Sequence, residues 1–391
     1  MKTPQLPVLA FLVVISHKIH AHAFSISPHP ASNKSTVTHT SSRSQLNMSI
    51  SNEKQNKFLF SIDRGGTFTD VHCILPNNQE IVRKLLSEDP DNYPDAPTEG
   101  IRRILHDFDT NNASEGYYQR GENVYTGMIG SIRMGTTVAT NALLERKGER
   151  MGLLITKGFK DLLKIGNQSR KDIFDLTCAM PKLLYEDVKE VDERVMLAQF
   201  FDEDKTSLDE YTVPKMDALG SPRAGYGSRF KGLTGETVID MKPPDMDAVR
   251  KQLEEFQKDG IKSLAIVLAH SYTYDEHEKM IGKLAEEMGC FTEISMSSKV
   301  MPMVKLVNRG HTACAAAYLT PKISAYLSSF RQGFDQGLDD VMLTFMKSDG
   351  GLTPVDDFGG HQAILSGPAG GVIVSVCYTM IQEDDIQFIE K

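Results

Sequence analysis

FLFSIDRGGTFTD (residues 58–70) sets an apolar run against an acid, two glycines, two threonines and a second acid, and its folding decides how the chain is read. Residues 58–62 read as a buried strand and 70–75 as a second one, so 64–69 is predicted to be the Gly-rich turn of a hairpin. A dinucleotide fingerprint needs G-x-G-x-x-G opening a helix; here only Gly65 and Gly66 are present and a strand follows. An aspartyl-nucleophile phosphatase needs a second acid, as in D-x-D-G-T, and Gly65 stands where that proton donor should be. A phosphate clamp fits better. Gly65 and Gly66 can bring backbone N–H groups close to an anion, Thr67 and Thr69 add hydroxyl donors, and Asp63 can hold a magnesium-bound water. A plain hairpin turn also accounts for Gly65-Gly66, but leaves the flanking acids and threonines unexplained.

Three further stretches have the same character. Gly135-Thr136-Thr137 is predicted to open a helix capped by Thr136 or Thr137 and ending at Gly148, where free N–H groups suit an anion. Ser348-Asp349-Gly350-Gly351 is a polar turn after a buried strand. Ser366-Gly367-Pro368-Ala369-Gly370-Gly371 precedes a helix and can turn backbone donors to a ligand. Together they predict a ligand cleft lined by Gly loops.

The rest of the chain supplies strands and helices in alternation, an α/β pattern with a mainly parallel or mixed sheet. Thr98 is expected to cap a helix with Ile101, Ile104 and Leu105 on one face. A βαβ unit is read from the helix at 246–260, the strand at 261–272, the helix at 275–289 and the strand at 291–295. Residues 313–330 read as a long helix broken or bent near Pro321. Residues 165–245 read as less regular, with the acidic run YEDVKEVDERV and a surface loop at SPRAGYGSRFKG.

Composition bounds the function. The 391 residues suffice for two domains with room for part of a third, and 40% hydrophobic with 24% charged residues is ordinary for a globular protein. A formal net charge of -9 leaves no basic footprint for nucleic acid or an anionic membrane. The five cysteines are scattered with no C-x-x-C, so they read as reduced thiols, and no histidine pair has metal-ligand spacing. Residues 1–50 differ: an apolar run at 6–15, Ala21-His22-Ala23, then a Ser/Thr-rich stretch without acids. They read as a leader of secretory or plastid type (through 1–47) or as an extension upstream of a start at Met48, outside the fold in either case.

The ordered phrases IDRGGTFTD, MGTTVATNALLERKGER, HSYTYDEHE, MPMVKLVNRGHTACAAAYLTP, SDGGL and AILSGPAGGV resemble the hydantoinase/oxoprolinase family, and Arg64 with GNQSRKDIFDL looks most like its oxoprolinase branch. The resemblance implies an actin-like ATPase (ribonuclease H-like) fold: two related α/β domains with a nucleotide cleft. It divides the chain into the 1–50 leader or extension, an N-terminal domain over 57–270, and from 271 to 391 the start of an ATPase domain, truncated. The implied reaction is ATP-dependent hydrolysis of 5-oxo-L-proline to L-glutamate, with magnesium and potassium, in the cytosol. The implied partner is that small molecule, not nucleic acid or a membrane, and the family admits a homodimer.

Carried over residue by residue, the resemblance assigns Asp63, Gly65, Gly66, Thr67 and Thr69 to the first phosphate loop, with magnesium held through water by Asp63. Thr136, Thr137 and Asn141 belong near the cleft, and Ser366, Gly367, Gly370 and Gly371 face nucleotide or substrate. Arg309-Gly310-His311 and Ser348-Asp349-Gly350-Gly351 match family positions without an assigned role. A second D-x-G-G-T loop is expected shortly after SGPAGG and is not in this sequence, so the chain alone is expected to bind ATP weakly and not to turn over 5-oxo-L-proline. The alternatives are a hydantoinase or carboxylase subunit of the same family, and a non-catalytic remnant.

Overall fold

The computed structural model describes residues 57–167, 174, 177, 181–197, 228–367 and 369. The leader, Gly370, Gly371, Cys178 and Cys377 lie outside them. The chain forms two compact units: Met1–Glu145 with Ser324–Phe358 and Gln362–Lys391, and Arg146–Ile323 with Gly359–His361. This partition cuts across the linear division at 270/271. A compact unit is a set of contacts, and here the chain leaves the first unit after Glu145 and returns to it at Ser324.

The first unit is built on a six-stranded sheet. Its strands are β1 (Phe58–Arg64), β2 (Phe68–Ile74), β3 (Glu80–Leu86), β4 (Ile129–Thr136), β12 (Met342–Met346) and β13 (Leu352–Pro354), in the order β13-β12-β4-β1-β2-β3. β1 and β2 form the hairpin that the sequence predicts, β3 adds antiparallel to β2, β4 and β12 run parallel to β1, and β13 folds back. Alternation in β1 buries Phe58, Phe60 and Ile62 on one face, where Val71, Cys73 and Leu85 join them.

Helix α1 (Ala96–Phe108) packs on that face with Ile101, Ile104 and Leu105 fully buried. Burial of each such side chain contributes about 1.5–3 kcal/mol. The close approach depends on Gly100, where a Cβ would lie 2.6 Å from Val71 Cγ2. The cap is Asp95, not the expected Thr98: its carboxylate accepts from the Thr98 N–H at 2.9 Å and hydroxyl at 2.7 Å. Pro97 belongs in a first helical turn, which moves the start upstream of Thr98.

The second unit has a four-stranded parallel sheet ordered β11-β10-β5-β6. The strands are β5 (Met151–Thr156), β6 (Asp187–Val191), β10 (Ser263–Val267) and β11 (Glu293–Met296). All of β5 and β10 is buried, as expected of strands covered on both faces. Helices α3 (Met246–Lys258) and α4 (Glu276–Met288) give Val249, Leu253, Phe256, Ile281 and Leu284 to one core with Leu154, Leu264 and Ile266. A three-stranded antiparallel sheet of β7 (Arg194–Leu197), β9 (Thr237–Lys242) and β8 (Ser228–Lys231) completes it.

The acidic run, placed by the sequence in a less regular stretch, supplies β6 and the start of β7. β6 is the edge of its sheet and keeps charged residues half-exposed, which hides the strand pattern from a reading based on burial. Helix α5 (Leu306–Gln332) continues through Pro321. Proline cannot donate to the carbonyl four residues back, and the Ser263 hydroxyl donates to that Ala317 carbonyl at 2.5 Å instead. Among the described residues no helix is long and apolar enough to cross a membrane.

Candidate functional site

The candidate site residues of the 63–69 turn lie within the first unit, at the end of β1 that carries Asp63. Asp63 is paired across the sheet with Asp70 of β2 and Gly135 of β4, and Asp70 with Lys84 of β3. Directly opposed residues share a face. Lys84, Asp70, Asp63 and Gly135 therefore form one row across four strands.

Lys84 Nζ donates to both Asp70 oxygens, at 3.0 and 3.2 Å. The Asp63 carboxyl is pushed up to about 6, first by burial and then by the Asp70 charge, with Lys84 partly offsetting both. Gly135 keeps the space beside it open: a Cβ there would stand 3.4 Å from Asp63 Oδ1.

The turn after Asp63 is closed and braced. Gly65 N–H donates to the Phe68 carbonyl at 3.1 Å, and a Gly65 Cβ would lie 2.8 Å from that oxygen, so only glycine closes this turn without displacement. Ser87 holds it from behind, through its hydroxyl to the Gly65 carbonyl at 2.8 Å and its N–H to the Thr67 carbonyl at 2.9 Å.

Thr69 is part of that brace. It is fully buried, with Oγ1 2.9 Å from Ser87 Oγ, so its hydroxyl does not reach the ligand side as the sequence reading expected. Thr67 is exposed, Gly66 is exposed, and Asn141 Nδ2 lies 3.5 Å from where a Gly66 Cβ would sit.

Asn141 belongs to α2 (Val138–Leu144), which ends before the expected Gly148. Thr137 ties this segment to β1: its N–H and hydroxyl both donate to the Arg64 carbonyl, at 3.1 and 3.3 Å. Thr136 is buried, and its hydroxyl oxygen accepts from the Val138 N–H at 3.3 Å.

The third stretch meets the second. Ser366 Oγ lies 3.0 Å from the Thr136 carbonyl, Thr140 donates to the Ile364 carbonyl at 2.7 Å, and a Gly367 Cβ would be 3.8 Å from Thr137 Cγ2. Ser348 secures this segment, its N–H and hydroxyl each 2.6 Å from the Gln362 carbonyl. The adjoining turn uses Gly350 at φ 82°, with Asp349 accepting from Gly351 N–H at 2.8 Å. The Ser348–Gly351 motif therefore acts as a fastener of the Ser366 segment. Asp63, Gly65, Gly66, Thr67, Thr137, Asn141, Ser366 and Gly367 share one edge of the unit, with Thr69 and Thr136 behind it.

Arg309-Gly310-His311 lies in the second unit. Arg309 is fully buried and donates to Ser297 Oγ at 2.9 Å, to the Met303 carbonyl at 2.8 Å and to the Leu268 carbonyl. Ser297 in turn donates to Glu278 at 2.6 Å. A Gly310 Cβ would stand 2.7 Å from Leu163 Cδ2 of the short helix Leu162–Ile165 and 3.3 Å from Val267 Cγ1 of β10, so this motif packs the first turns of its helix closely against both.

The same unit buries His277 between Glu193 at 2.8 Å and Asp240 at 3.2 Å. Burial presses the His277 pKa down, but the hydrogen bonds and charges of the two carboxylates outweigh it and raise it. No sequence signal joins residues 193, 240 and 277, which reach one another only through the fold.

The sequence matches the family model described as Hydantoinase/oxoprolinase N-terminal region over residues 59–289, and that described as Hydantoinase/oxoprolinase over 309–389. It is 52% identical over 320 residues to 5-oxoprolinase 1 of Arabidopsis thaliana, covering 82% of this chain and 23% of that protein. The chain thus spans about a quarter of the length of the curated relatives it matches. The crystal structure of ATP-dependent caprolactamase from Pseudomonas jessenii superposes with a TM-score of 0.57 at 22% identity, over 80% of this chain and 39% of that one. Nucleotide-free acetone carboxylase gives 0.59 at 20% identity, over 83% and 41%. These structures share the fold, and the matched family segments cover most of the chain: it belongs to the hydantoinase/oxoprolinase family.

Proposed function

We propose that the first unit holds magnesium-bound ATP and serves the ATP-dependent opening of 5-oxo-L-proline to L-glutamate, a reaction carried by the longer architecture of which this chain matches about a quarter. The observation behind this reading is that three separate Gly-containing stretches meet in series, the 135–141 segment joining the Asp63 turn on one side and the Ser366 segment on the other.

The residues fit a hydrated magnesium ion. Asp63 is a half-buried carboxylate beside a second one, and a nearby cation relieves both burial and repulsion. Among the described residues no group of three or more His, Cys, Asp or Glu could enclose a metal, which accords with an ion that keeps its waters and relies on ligand phosphates. When bound, magnesium supplies neutralisation of phosphate charge.

The chain's own groups do the rest. The amides of Gly66 and Thr67, the Thr67 hydroxyl and the Asn141 amide donate to phosphate oxygens. Ser87 and Thr69 keep that loop from moving, so little reorganisation accompanies binding. Asp63 orients the ion's waters. A lactam carbonyl is a poor electrophile; transfer of the terminal phosphoryl group from ATP to its oxygen releases ADP and activates the carbon. Water adds there, the ring C–N bond breaks with the nitrogen leaving as the amine, and a second water cleaves the resulting acyl phosphate to the side-chain carboxylate and inorganic phosphate. Phosphoryl transfer itself needs mostly positioning and charge neutralisation. Potassium, the cytosol and a homodimer belong to this reading by family resemblance.

The test is calorimetric titration of the full chain with ATP, with and without magnesium, and a glutamate assay with 5-oxo-L-proline, ATP, magnesium and potassium. Magnesium-dependent nucleotide binding lost in D63N supports the site whether or not glutamate is released. Binding indifferent to both magnesium and D63N overturns it.

A further inference from the structure

Arg133 sits on β4 one step before Gly135 on the same face. Its directly opposed neighbours are Ser61 of β1 and Thr344 of β12, both uncharged, and Ser61 is buried. Arg133 itself is half-buried. Burial alone lowers its pKa, with no neighbouring charge contributing, and among the described residues no hydrogen bond or ion pair reaches its guanidinium.

Two other inward-turned arginines differ, and half-buried Arg64, whose Nε has no hydrogen-bond partner, lies over the Tyr326 ring at 5.0 Å. Arg102 is held by Glu99 at 2.7 Å and by the Tyr118 carbonyl at 2.9 Å, and Arg309 by a serine and two carbonyls. None of the Arg133 nitrogens is sealed from solvent, so the fork keeps contact with water while the rest of the residue is half-buried; a charge partly removed from water in this way gains from an anionic acceptor. The planar fork of arginine suits bidentate contact with a carboxylate or phosphate. Two residues along a strand are about 6.6 Å, so a small ligand can touch both the Asp63 row and this side chain.

We propose that Arg133 is an anion-recognition residue of the Asp63 edge, taking a carboxylate or phosphate group of the ligand bound there. The inference rests on reading that edge as a ligand site. The two sources of the anion are a substrate carboxylate and a nucleotide phosphate.

The test compares the full-length wild-type chain with R133M and R133K by calorimetry and thermal unfolding. The probes are 5-oxo-L-proline, its carboxylate-free analogue 2-pyrrolidinone, magnesium-ADP and adenosine. Charged hydrogen bonds of this kind are worth about a 10- to 100-fold change in affinity. For a substrate carboxylate, R133M weakens 5-oxo-L-proline by that factor and leaves 2-pyrrolidinone unchanged. For a phosphate, it weakens magnesium-ADP and leaves adenosine unchanged. R133K retains part of the affinity, and without ligand R133M is at least as stable as wild type.

Wild-type affinity for both anionic probes in R133M overturns the inference, as does a wild-type chain that binds neither. Lower ligand-free stability of R133M makes the guanidinium a structural group and overturns it too. If R133M does not fold, R133K carries the comparison: it keeps the charge and loses the fork, and unchanged anion affinity counts against the proposal. Nucleotide binding abolished by D63N, with both Arg133 variants binding all anions normally, rejects this inference while sparing the Asp63 site; a D63N variant that binds normally rejects the site itself.

Discussion

Replacing Asp63 by Asn should stabilise the nucleotide-free protein. The Asp63 pKa rises from 3.8 to about 6 on folding, close to two pH units. At about 1.4 kcal/mol per unit, the ionised carboxylate lowers stability by roughly 3 kcal/mol, or about 2 once partial solvent screening is allowed for. The folded state holds this proton more tightly than the unfolded one. The stability linked to the group is therefore greatest near pH 4, falls as pH rises towards 6, and is flat beyond.

Asn has nearly the same shape and no charge. D63N should be more stable than wild type by about 2–3 kcal/mol at pH 8, with the gap closing as pH approaches 4. Urea unfolding read by hydrogen exchange in residues 58–64 separates the first unit from the second. Added magnesium should stabilise wild type and leave D63N unmoved. A D63N variant less stable than wild type at pH 8, or a gap independent of pH, refutes the reasoning.

Ser87→Ala removes the brace on the Gly65 carbonyl and strands the buried Thr69 hydroxyl; a loss of about 1–3 kcal/mol is expected in urea titrations. Gly100→Ala places a Cβ 2.6 Å from Val71 Cγ2, and the overpacking should lower stability by about 1–3 kcal/mol by the same measurement. His277 has a raised pKa, so the stability it contributes is present below its ordinary pKa and declines as pH rises through the folded value. In melting temperatures at pH 6 and pH 9, H277Q should lack that decline, and an unchanged pH profile would refute the assignment of the slope to His277.

What the sequence made legible follows from local patterns. The hairpin around Gly65 and the face formed by Ile101, Ile104 and Leu105 were readable because strand and helix periods are written in adjacent residues. Thr69 was misplaced because its role depends on register: beside Asp70 it points to the opposite face, and only the pairing with Arg64 and the approach of Ser87 show which face that is. Asp95 caps the helix in place of Thr98 because Pro97 is a first-turn residue, which sets the helix start before Thr98.

The row of Lys84, Asp70, Asp63 and Gly135 joins four strands whose alignment no single stretch encodes. Edge strand β6 was hidden by its charges, and the His277 network by the distance between its members in sequence. Long-range pairing is where the reading of residues ran out.

The most direct measurement is hydrogen exchange of the full chain with and without magnesium-ADP. The account predicts slowed exchange at residues 65–67, 135–141 and 364–367, present in wild type and absent in D63N. Protection confined to other segments, or protection that persists in D63N, contradicts the assignment of the Asp63 edge as the nucleotide site.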